Sequence, residues 1–147
     1  MKKTAIVTGS SRGIGFAIAR QLGLDGYNIV MVATGAQEKN QAALDELKAT
    51  GIDCAYVQAN IGCTDDRKKI LDTALAAFGR VDVLVNNAGI TADKLLMRMT
   101  ESDFDNVLFT NLKGTFFCTK AASRLMMRQR YGRIINISSV VGLHGNA

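Results

Sequence analysis

The sequence predicts an α/β fold in which helices cover both faces of a doubly wound parallel sheet. Short runs rich in Val and Ile alternate with longer segments of helical apolar spacing, and the first run leads through a Gly-rich loop directly into a helical segment. Continuous apolar runs are typical of parallel strands that are buried on both faces. No linker or repeat divides the chain, so we expect residues 1–147 to form a single domain.

Five apolar runs are the predicted strands, at residues 3–8, 28–33, 53–59, 81–86 and 132–138. Three crossover helices lie between the first four strands, because apolar residues recur at helical spacing in the segments Ile14 to Leu22, Ala43 to Leu47 and Ile70 to Phe78. Glycines stand where three helices must end before the next strand, namely Gly51, Gly79 and Gly132.

A fourth helix is expected to begin near Thr100 and to run toward Met127. The sequence Thr-Glu-Ser-Asp at its start has the form of a capping box, with an acid at the third helical position. The inner stripe of this helix is expected to include apolar side chains at helical spacing, namely Phe104, Leu108, Leu112, Phe116 and Leu125.

The composition, 48% hydrophobic and 21% charged, is typical of an ordinary globular domain. No apolar run reaches the ~18 residues of a membrane-spanning helix, and no export signal precedes Gly9. The three cysteines are odd in number and far apart, which excludes a disulfide framework and a Cys-x-x-Cys site. We therefore expect a cytoplasmic protein with reduced thiols, no metal site and no membrane partner.

The net charge of +5 is concentrated at the carboxyl end, because the last acidic residue is Asp105. Six basic residues follow it without an acid, namely Lys113, Lys120, Arg124, Arg128, Arg130 and Arg133. This segment could attract an acidic protein, a membrane surface or nucleic acid, or it could be a solvated helix face. We expect no nucleic-acid partner, since no aromatic residues are interleaved with the arginines and no recognition motif is present.

The loop after the first strand, Thr8 to Gly15, predicts a phosphate site at the start of a helix. Gly9 permits a tight turn, Gly13 lets the backbone approach a pyrophosphate, and Gly15 allows the helix to pack closely on the strand. A purely structural turn is the alternative, which the flanking strand and helix make less favourable. The candidate cofactor-binding residues of the loop are Gly9, Ser11, Arg12, Gly13, Ile14 and Gly15.

The end of the second strand favours NADP(H) over NAD(H). An NAD-selective site has an Asp or Glu there for the ribose 2′-OH, whereas this chain has Val32-Ala33-Thr34-Gly35. Arg12, Ser11 and Thr34 could instead donate to a 2′-phosphate. The alternative is that Arg12 only faces solvent and that the site discriminates weakly between NADP(H) and NAD(H).

Several separated motifs together resemble the short-chain dehydrogenase/reductase family over the whole length of the chain. They are the Thr8 to Gly15 loop, Asn60-Ile61 after the third strand, Asn86-Asn87-Ala88-Gly89 after the fourth, Asn111 in the following helix, and Ile137-Ser138-Ser139 ending the fifth. The resemblance implies a Rossmann-type fold with these motifs at the carboxyl ends of its strands.

The resemblance also implies roles for individual residues. Asn60 and Ile61 would lie beside the adenine ring, and Asn87, Ala88 and Gly89 would leave room for the cofactor, although an Asn-rich strand end can also hold neighbouring backbone together. Two residues are candidates for catalysis. Ser139 would hold the substrate carbonyl, with Ser138 facing the other side of the strand. Asn111 is expected to be a buried amide. In the family this residue marks a helix irregularity that holds a water molecule linked to a catalytic lysine. The alternative is that Asn111 only produces a structural kink in the helix.

The stretches 89–99 and 130–146 resemble the β-ketoacyl-acyl carrier protein reductases of fatty-acid synthesis, and acetoacetyl-CoA reductases are close behind. This resemblance implies NADPH-dependent reduction of a 3-oxoacyl thioester carried by acyl carrier protein or CoA. It also implies a homo-oligomer, a tetramer in the complete protein, and docking of the carrier protein at Arg130. The acid-free segment is consistent with such an acidic partner.

The sequence departs from the family pattern in one respect. The family has a tyrosine followed by lysine four residues later, and none of Tyr27, Tyr56 or Tyr131 has this partner. We therefore expect an incomplete family member that lacks its carboxyl-terminal elements and has little activity alone. Two alternatives stay open: an NADP(H)-binding or subunit-interaction module without chemistry, and a structural role in which the basic helix docks an acidic protein. His144 is interpreted as a loop residue, since no acid stands near it.

Overall fold

The computed structural model describes residues 1–145, so Asn146 of the family-like stretch lies outside the described residues. Five parallel strands form one sheet: β1 (Thr4–Thr8), β2 (Asn28–Ala33), β3 (Cys54–Gln58), β4 (Val83–Asn86) and β5 (Arg133–Asn136). The helices are α1 (Gly13–Leu24), α2 (Gln41–Ala49), α3 (Thr64–Phe78), α4 (Glu101–Val107), α5 (Thr115–Gln129) and α6 (Val141–His144). A 3₁₀ turn precedes α2 at Gln37–Asn40, another lies at Leu96–Arg98, and a π-helical segment at Leu108–Gly114 joins α4 to α5.

The strand order is β3-β2-β1-β4-β5, with every pair parallel. The chain builds outward from β1 to β3, and it then crosses to β4 on the other side of β1. Strand order therefore reverses between β1 and β4, which is where open parallel sheets bind ligands, beyond the carboxyl ends of the strands. This topology confirms the predicted doubly wound sheet, and each predicted strand is present.

Two apolar cores lie on opposite faces of the sheet. One core contains Ile6, Val30 and Leu84 together with residues of α3 and α5. The other contains Val7, Ile29 and Met31 together with residues of α1 and α2. All residues of β1, β2 and β4 are buried. Burial on both faces explains why these strands have continuous rather than alternating apolar sequences.

The sequence predicts that large apolar residues of the fourth helix face the core, and for four of them this prediction is wrong. Phe104, Leu108, Leu112 and Phe116 are 40–63% exposed, although Leu125 does pack against a core. The buried side of α5 consists of Cys118, Ala122 and Met126, which lie on the opposite face of the helix. Cys118 and Ala122 are small and allow this part of the helix to approach the sheet closely, which the apolar spacing alone did not indicate.

The predicted helix ends are confirmed at two glycines and wrong at the third. Gly51 and Gly79 adopt left-handed conformations, with φ of +79° and +74°. Helix α5 instead ends at Arg130, the one residue other than glycine with positive φ among residues 1–145. Gly132 has a different reason to be glycine, because a Cβ there would clash with the side chain of Met126.

Helices in the described part of the chain are all too short or too polar to cross a membrane.

Candidate dinucleotide site

The loop between β1 and α1 has the backbone that its glycines predict. Gly9 and Gly13 both have positive φ, +65° and +56°. A Cβ on Gly9 would lie 2.9 Å from the Cα of Ala88, and one on Gly15 would clash with the Gly9 carbonyl. No atom comes within 4 Å of a Cβ built on Gly13. The loop is thus closely packed at its two ends and open at its centre.

The amino end of α1 offers unpaired amide groups. Arg12 is the N-cap in extended conformation, no side chain among residues 1–145 caps the helix, and no acid stands in its first turn. The first N–H groups of a helix have no acceptor within the helix, and the helix dipole adds positive potential at that end. The amides of Gly13, Ile14 and Gly15 therefore fit an anion such as a pyrophosphate.

Thr8 and Asn87 fasten the carboxyl ends of β1 and β4 to each other. The Thr8 hydroxyl accepts the N–H groups of Asn87 and Ala88, both at 3.0 Å. The Asn87 side-chain amide donates to the carbonyls of Thr8 at 3.0 Å and Gly9 at 3.2 Å. The Asn87 side chain therefore holds the phosphate loop against the segment that follows β4. An Asn-rich strand end that holds neighbouring backbone together is the structural alternative to a direct contact with the cofactor.

A cleft of about 560 Å³ opens at these strand ends. Nine of the twelve predicted cofactor-binding residues line it, namely Gly9, Ser11, Arg12, Thr34, Asn60, Ile61, Asn87, Ala88 and Gly89. The other three, Gly13, Ile14 and Gly15, form the first turn of α1. Sequence reasoning missed several residues that also line the cleft: Val32, Ala33, Ala59, Ile90, Asn106, Phe109 and Thr110.

No carboxylate lies among the residues that line the cleft. At the end of β2, Thr34 is exposed beside the cleft, and Arg12 is exposed across from it on the phosphate loop. A 2′-phosphate at this position would meet a cation and hydroxyl donors, with no carboxylate among the residues that line the cleft.

The wall after β3 is held by its own side chains. The Asn60 N–H donates to Asp66 at 2.7 Å, and the Asn60 side-chain carbonyl accepts the N–H of Gly62 at 3.0 Å. Arg67, which is only 6% exposed, donates to the Ile61 carbonyl at 2.7 Å. These contacts fix the backbone at Asn60 and Ile61 beside the cleft, and the Ile61 side chain itself is 4% exposed and belongs to the core.

Asn111 lies in the π-helical segment, so the predicted helix irregularity is present. Its side chain exchanges two hydrogen bonds with the backbone of Ile90, accepting the N–H and donating to the carbonyl, each at 2.9 Å. The expectation that this amide is buried is wrong, since Asn111 is exposed. Its contacts tie the π segment to the loop that follows β4.

Ser139 and Arg130 lie away from the cleft walls. Strand β5 ends at Asn136, so the alternation argument that separated Ser138 from Ser139 does not apply, and both are exposed. The Ser139 hydroxyl accepts the N–H of Val141 at 3.2 Å. Arg130 precedes β5 and so lies at the amino ends of the strands, opposite the edge that carries the cleft.

A doubly wound parallel sheet with a glycine-lined loop and an open cleft at its switch point defines a dinucleotide-binding α/β protein. The family model described as short chain dehydrogenase matches residues 3–147. The chain therefore belongs to the short-chain dehydrogenase/reductase family of oxidoreductases.

Three curated relatives are similar over nearly the whole chain. The 3-oxoacyl-acyl-carrier-protein reductase FabG of Staphylococcus aureus strain Mu50 is 52% identical over 146 residues, which are 99% of this chain and 59% of that protein. The protein of the same name from Staphylococcus epidermidis is 49% identical over 99% of this chain and 60% of its own length. The 3-oxoacyl-acyl-carrier-protein reductase of Synechocystis is 46% identical over 98% and 58%. The chain thus spans about three fifths of the length of these relatives.

Proposed function

We propose that the complete protein uses NADPH to reduce a 3-oxoacyl thioester, carried by acyl carrier protein or CoA, to the 3-hydroxyacyl thioester of fatty-acid synthesis. The observation that carries this proposal is the cleft at the switch point, which has no carboxylate among its lining residues and is lined by Arg12 of the phosphate loop and Thr34 at the end of β2. The relatives are named 3-oxoacyl-acyl-carrier-protein reductases, and these names support a 3-oxoacyl thioester as the substrate class.

The residues that hold the cofactor in this proposal lie in three groups. The pyrophosphate binds the amides of Gly13, Ile14 and Gly15, and the 2′-phosphate binds Arg12, Ser11 and Thr34. The adenine ring would lie beside Asn60 and Ile61, and the ribose and adenine side of the cofactor would have room along Gly9, Asn87, Ala88 and Gly89. When bound, the reduced nicotinamide supplies the hydride.

The chain's own residues contribute orientation rather than proton transfer. Ser139 donates its hydroxyl hydrogen to the substrate carbonyl oxygen, and it can do so while its oxygen accepts the Val141 N–H, because a hydroxyl group both donates and accepts. Asn111 positions the Gly89–Ile90 loop through its two bonds to Ile90. None of the three tyrosines in the 147 residues has a lysine four positions later, so the proton donor of the family pattern is not among them.

The decisive experiment follows the loss of NADPH absorbance with acetoacetyl-CoA and with acetoacetyl carrier protein, using the complete protein. We expect turnover with NADPH, much slower turnover with NADH, and a loss of about 100-fold in kcat for Ser139→Ala. Ser138→Ala is the matched control and should keep its activity. Full binding of NADPH with no turnover of either thioester would favour a binding module without chemistry.

The exposed basic residues of the acid-free segment support the carrier protein as a second part of the proposal. All six are exposed, and none of them forms an ion pair with an acidic side chain in residues 1–145. Unpaired cations of this kind attract an acidic partner at low ionic strength. Arg130 is the proposed docking residue, and because it lies at the edge of the sheet opposite the cleft, a carrier protein bound there would serve the cleft of a neighbouring subunit. Binding of carrier protein should weaken as salt is raised.

A homo-oligomer, a tetramer in the complete protein, is also proposed. A groove of about 730 Å³ runs along the outer face of the π segment and α5, and its apolar walls are Leu108, Phe109, Leu112 and Phe116. Exposed apolar residues in one contiguous stripe favour association with another protein surface. A second copy of this chain would cover the same stripe symmetrically.

A further inference from the structure

The segment after β2 has three consecutive carbonyl groups, each of which accepts a hydrogen bond from a side chain. The Thr34 carbonyl accepts the side-chain amide of Gln58 at 3.2 Å, and the Gly35 carbonyl accepts the hydroxyl of Tyr56 at 2.6 Å. The Ala36 carbonyl accepts the side-chain amide of Asn40 at 3.0 Å. A surface loop usually leaves such groups to water, so this segment is held in one arrangement by the neighbouring strand and 3₁₀ turn.

Tyr56 stands at the centre of this arrangement. Besides donating to Gly35, its hydroxyl accepts the side-chain amide of Asn40 at 2.8 Å. Its ring is half-buried on β3 and packs against the core beneath α1 and α2. Burial raises the pKa of the Tyr56 hydroxyl, which therefore stays a hydrogen-bond donor throughout the neutral range.

Position 35 is also closely packed against this network. A Cβ built on Gly35 would lie 2.9 Å from the side-chain nitrogen of Asn40. Glycine thus lets the chain come near enough for Tyr56 to reach the Gly35 carbonyl.

The three amides of the same segment are left unpaired. Within residues 1–145, the N–H groups of Thr34, Gly35 and Ala36 donate to no acceptor, while the carbonyls are all engaged. Thr34 lines the cleft together with Arg12. Free backbone N–H groups beside an arginine are suited to an anion.

We propose that Tyr56 is a positioning residue that sets the preference for the phosphorylated dinucleotide, by holding the Thr34–Ala36 segment beside Arg12 in the arrangement that receives the 2′-phosphate. This role rests on the proposed function, because it concerns the same cofactor. It adds a residue of β3 that does not line the cleft and touches no part of the ligand itself.

The test compares the affinities of NADPH and NADH in the complete protein by isothermal titration calorimetry. Tyr56→Phe removes only the hydroxyl, and we expect it to weaken NADPH about fivefold, the effect of one lost hydrogen bond, while NADH changes less than twofold. Asn40→Ala, which removes the partner of the same hydroxyl, should shift the ratio in the same direction. The fragment adenosine 2′,5′-bisphosphate should lose as much affinity as NADPH does.

Tyr27→Phe is the matched control, because Tyr27 packs against the same core and its hydroxyl makes no hydrogen bond in the described part of the chain. It should leave both affinities unchanged. Equal weakening of NADPH and NADH by Tyr56→Phe, or no change in either, would overturn the role of Tyr56 and leave the cofactor proposal standing. A parent protein that binds NADPH no better than NADH would overturn both.

Discussion

Two glycines in the phosphate loop have different physical reasons to be glycine. Gly15 is required by packing, since a Cβ there would clash with the Gly9 carbonyl and lie 2.5 Å from the side-chain nitrogen of Asn87. Gly13 is required by its positive φ alone, with open space where a Cβ would be. Because Gly13 lies in the turn whose amides are proposed to bind a pyrophosphate, a methyl group at Gly13 should affect the ligand more than the fold.

Substitution of these glycines separates binding from stability. We expect Gly15→Ala to lower the free energy of unfolding by about 2 kcal/mol, because the backbone of the loop must move. Gly13→Ala should cost about 1 kcal/mol of left-handed strain, yet weaken NADPH more than tenfold. Urea unfolding and NADPH titration of each variant measure the two effects.

Gly26→Ala is the control for strain, since Gly26 has φ of +93°, open space for a Cβ, and a position away from the cleft. It should lose as much stability as Gly13→Ala and keep its affinity for NADPH. If the Gly13 variant also kept full affinity, the assignment of the phosphate site to this loop would be wrong.

At the scale of elements, the start of α4 is fixed by polar groups. Thr100 and Asp103 form the capping box that the sequence predicts, with each side chain bonded to the backbone N–H of the other residue. The Lys94 ammonium donates to both oxygens of Asp103 at 2.7 and 2.6 Å, and together with the Thr100 N–H it holds the pKa of that carboxyl well below its usual range. The loop after β4 is thus attached to the beginning of α4.

Stability should depend on the charge of Asp103. Its pKa is lower in the folded state than in the unfolded chain, so the ionised carboxylate stabilises the fold above about pH 4, and this contribution is lost as the pH falls further. Asp103→Asn should therefore lower the free energy of unfolding at pH 7 and reduce its decline in acid. Glu101→Gln, a change at an exposed acid of the same turn, is expected to do neither in urea titrations from pH 7 to pH 3.

Two glycines, Gly62 and Gly114, allow the π-helical segment to pack closely beside the cleft. A Cβ on Gly62 would clash with the ring of Phe109, and one on Gly114 would lie 2.7 Å from the side chain of Ile61. The wider turn and the two glycines bring Phe109 to the cleft and Asn111 to Ile90. The apolar spacing of the sequence is that of an ordinary α-helix, so it could not predict that the helix widens into a π-helix at this point.

At the scale of the whole molecule, the outer face of the π segment and α5 is an exposed apolar surface. Leu112 and Phe116 are 63% and 61% exposed on it, and they extend a stripe that begins at Phe104. Because water disfavours such a surface, we expect the proposed oligomer to form through it.

A charge in this groove should separate the subunits. Phe116→Lys is expected to shift the protein from oligomer to smaller species in sedimentation velocity, with little loss of folding stability because the ring is mainly exposed. Met127→Lys, on the same helix and 77% exposed but outside the groove, is the control and should leave the oligomer intact. An oligomer unaffected by Phe116→Lys would place the interface elsewhere.

The sequence by itself determined the order of strands and helices, the capping box at Thr100 and the cleft residues of the phosphate loop and of the end of β2, because these depend on local spacing and on turn chemistry. The other predicted cleft residues came from the resemblance to the family, namely Asn60, Ile61, Asn87, Ala88 and Gly89. Only the tertiary structure decided which face of α5 is buried, that Asn111 is exposed and bonded to Ile90, and that Tyr56 and Asn40 hold the segment after β2. These outcomes depend on side chains far apart along the chain, or on how closely two backbones can approach. Periodicity and motif spacing contain no information about such distances.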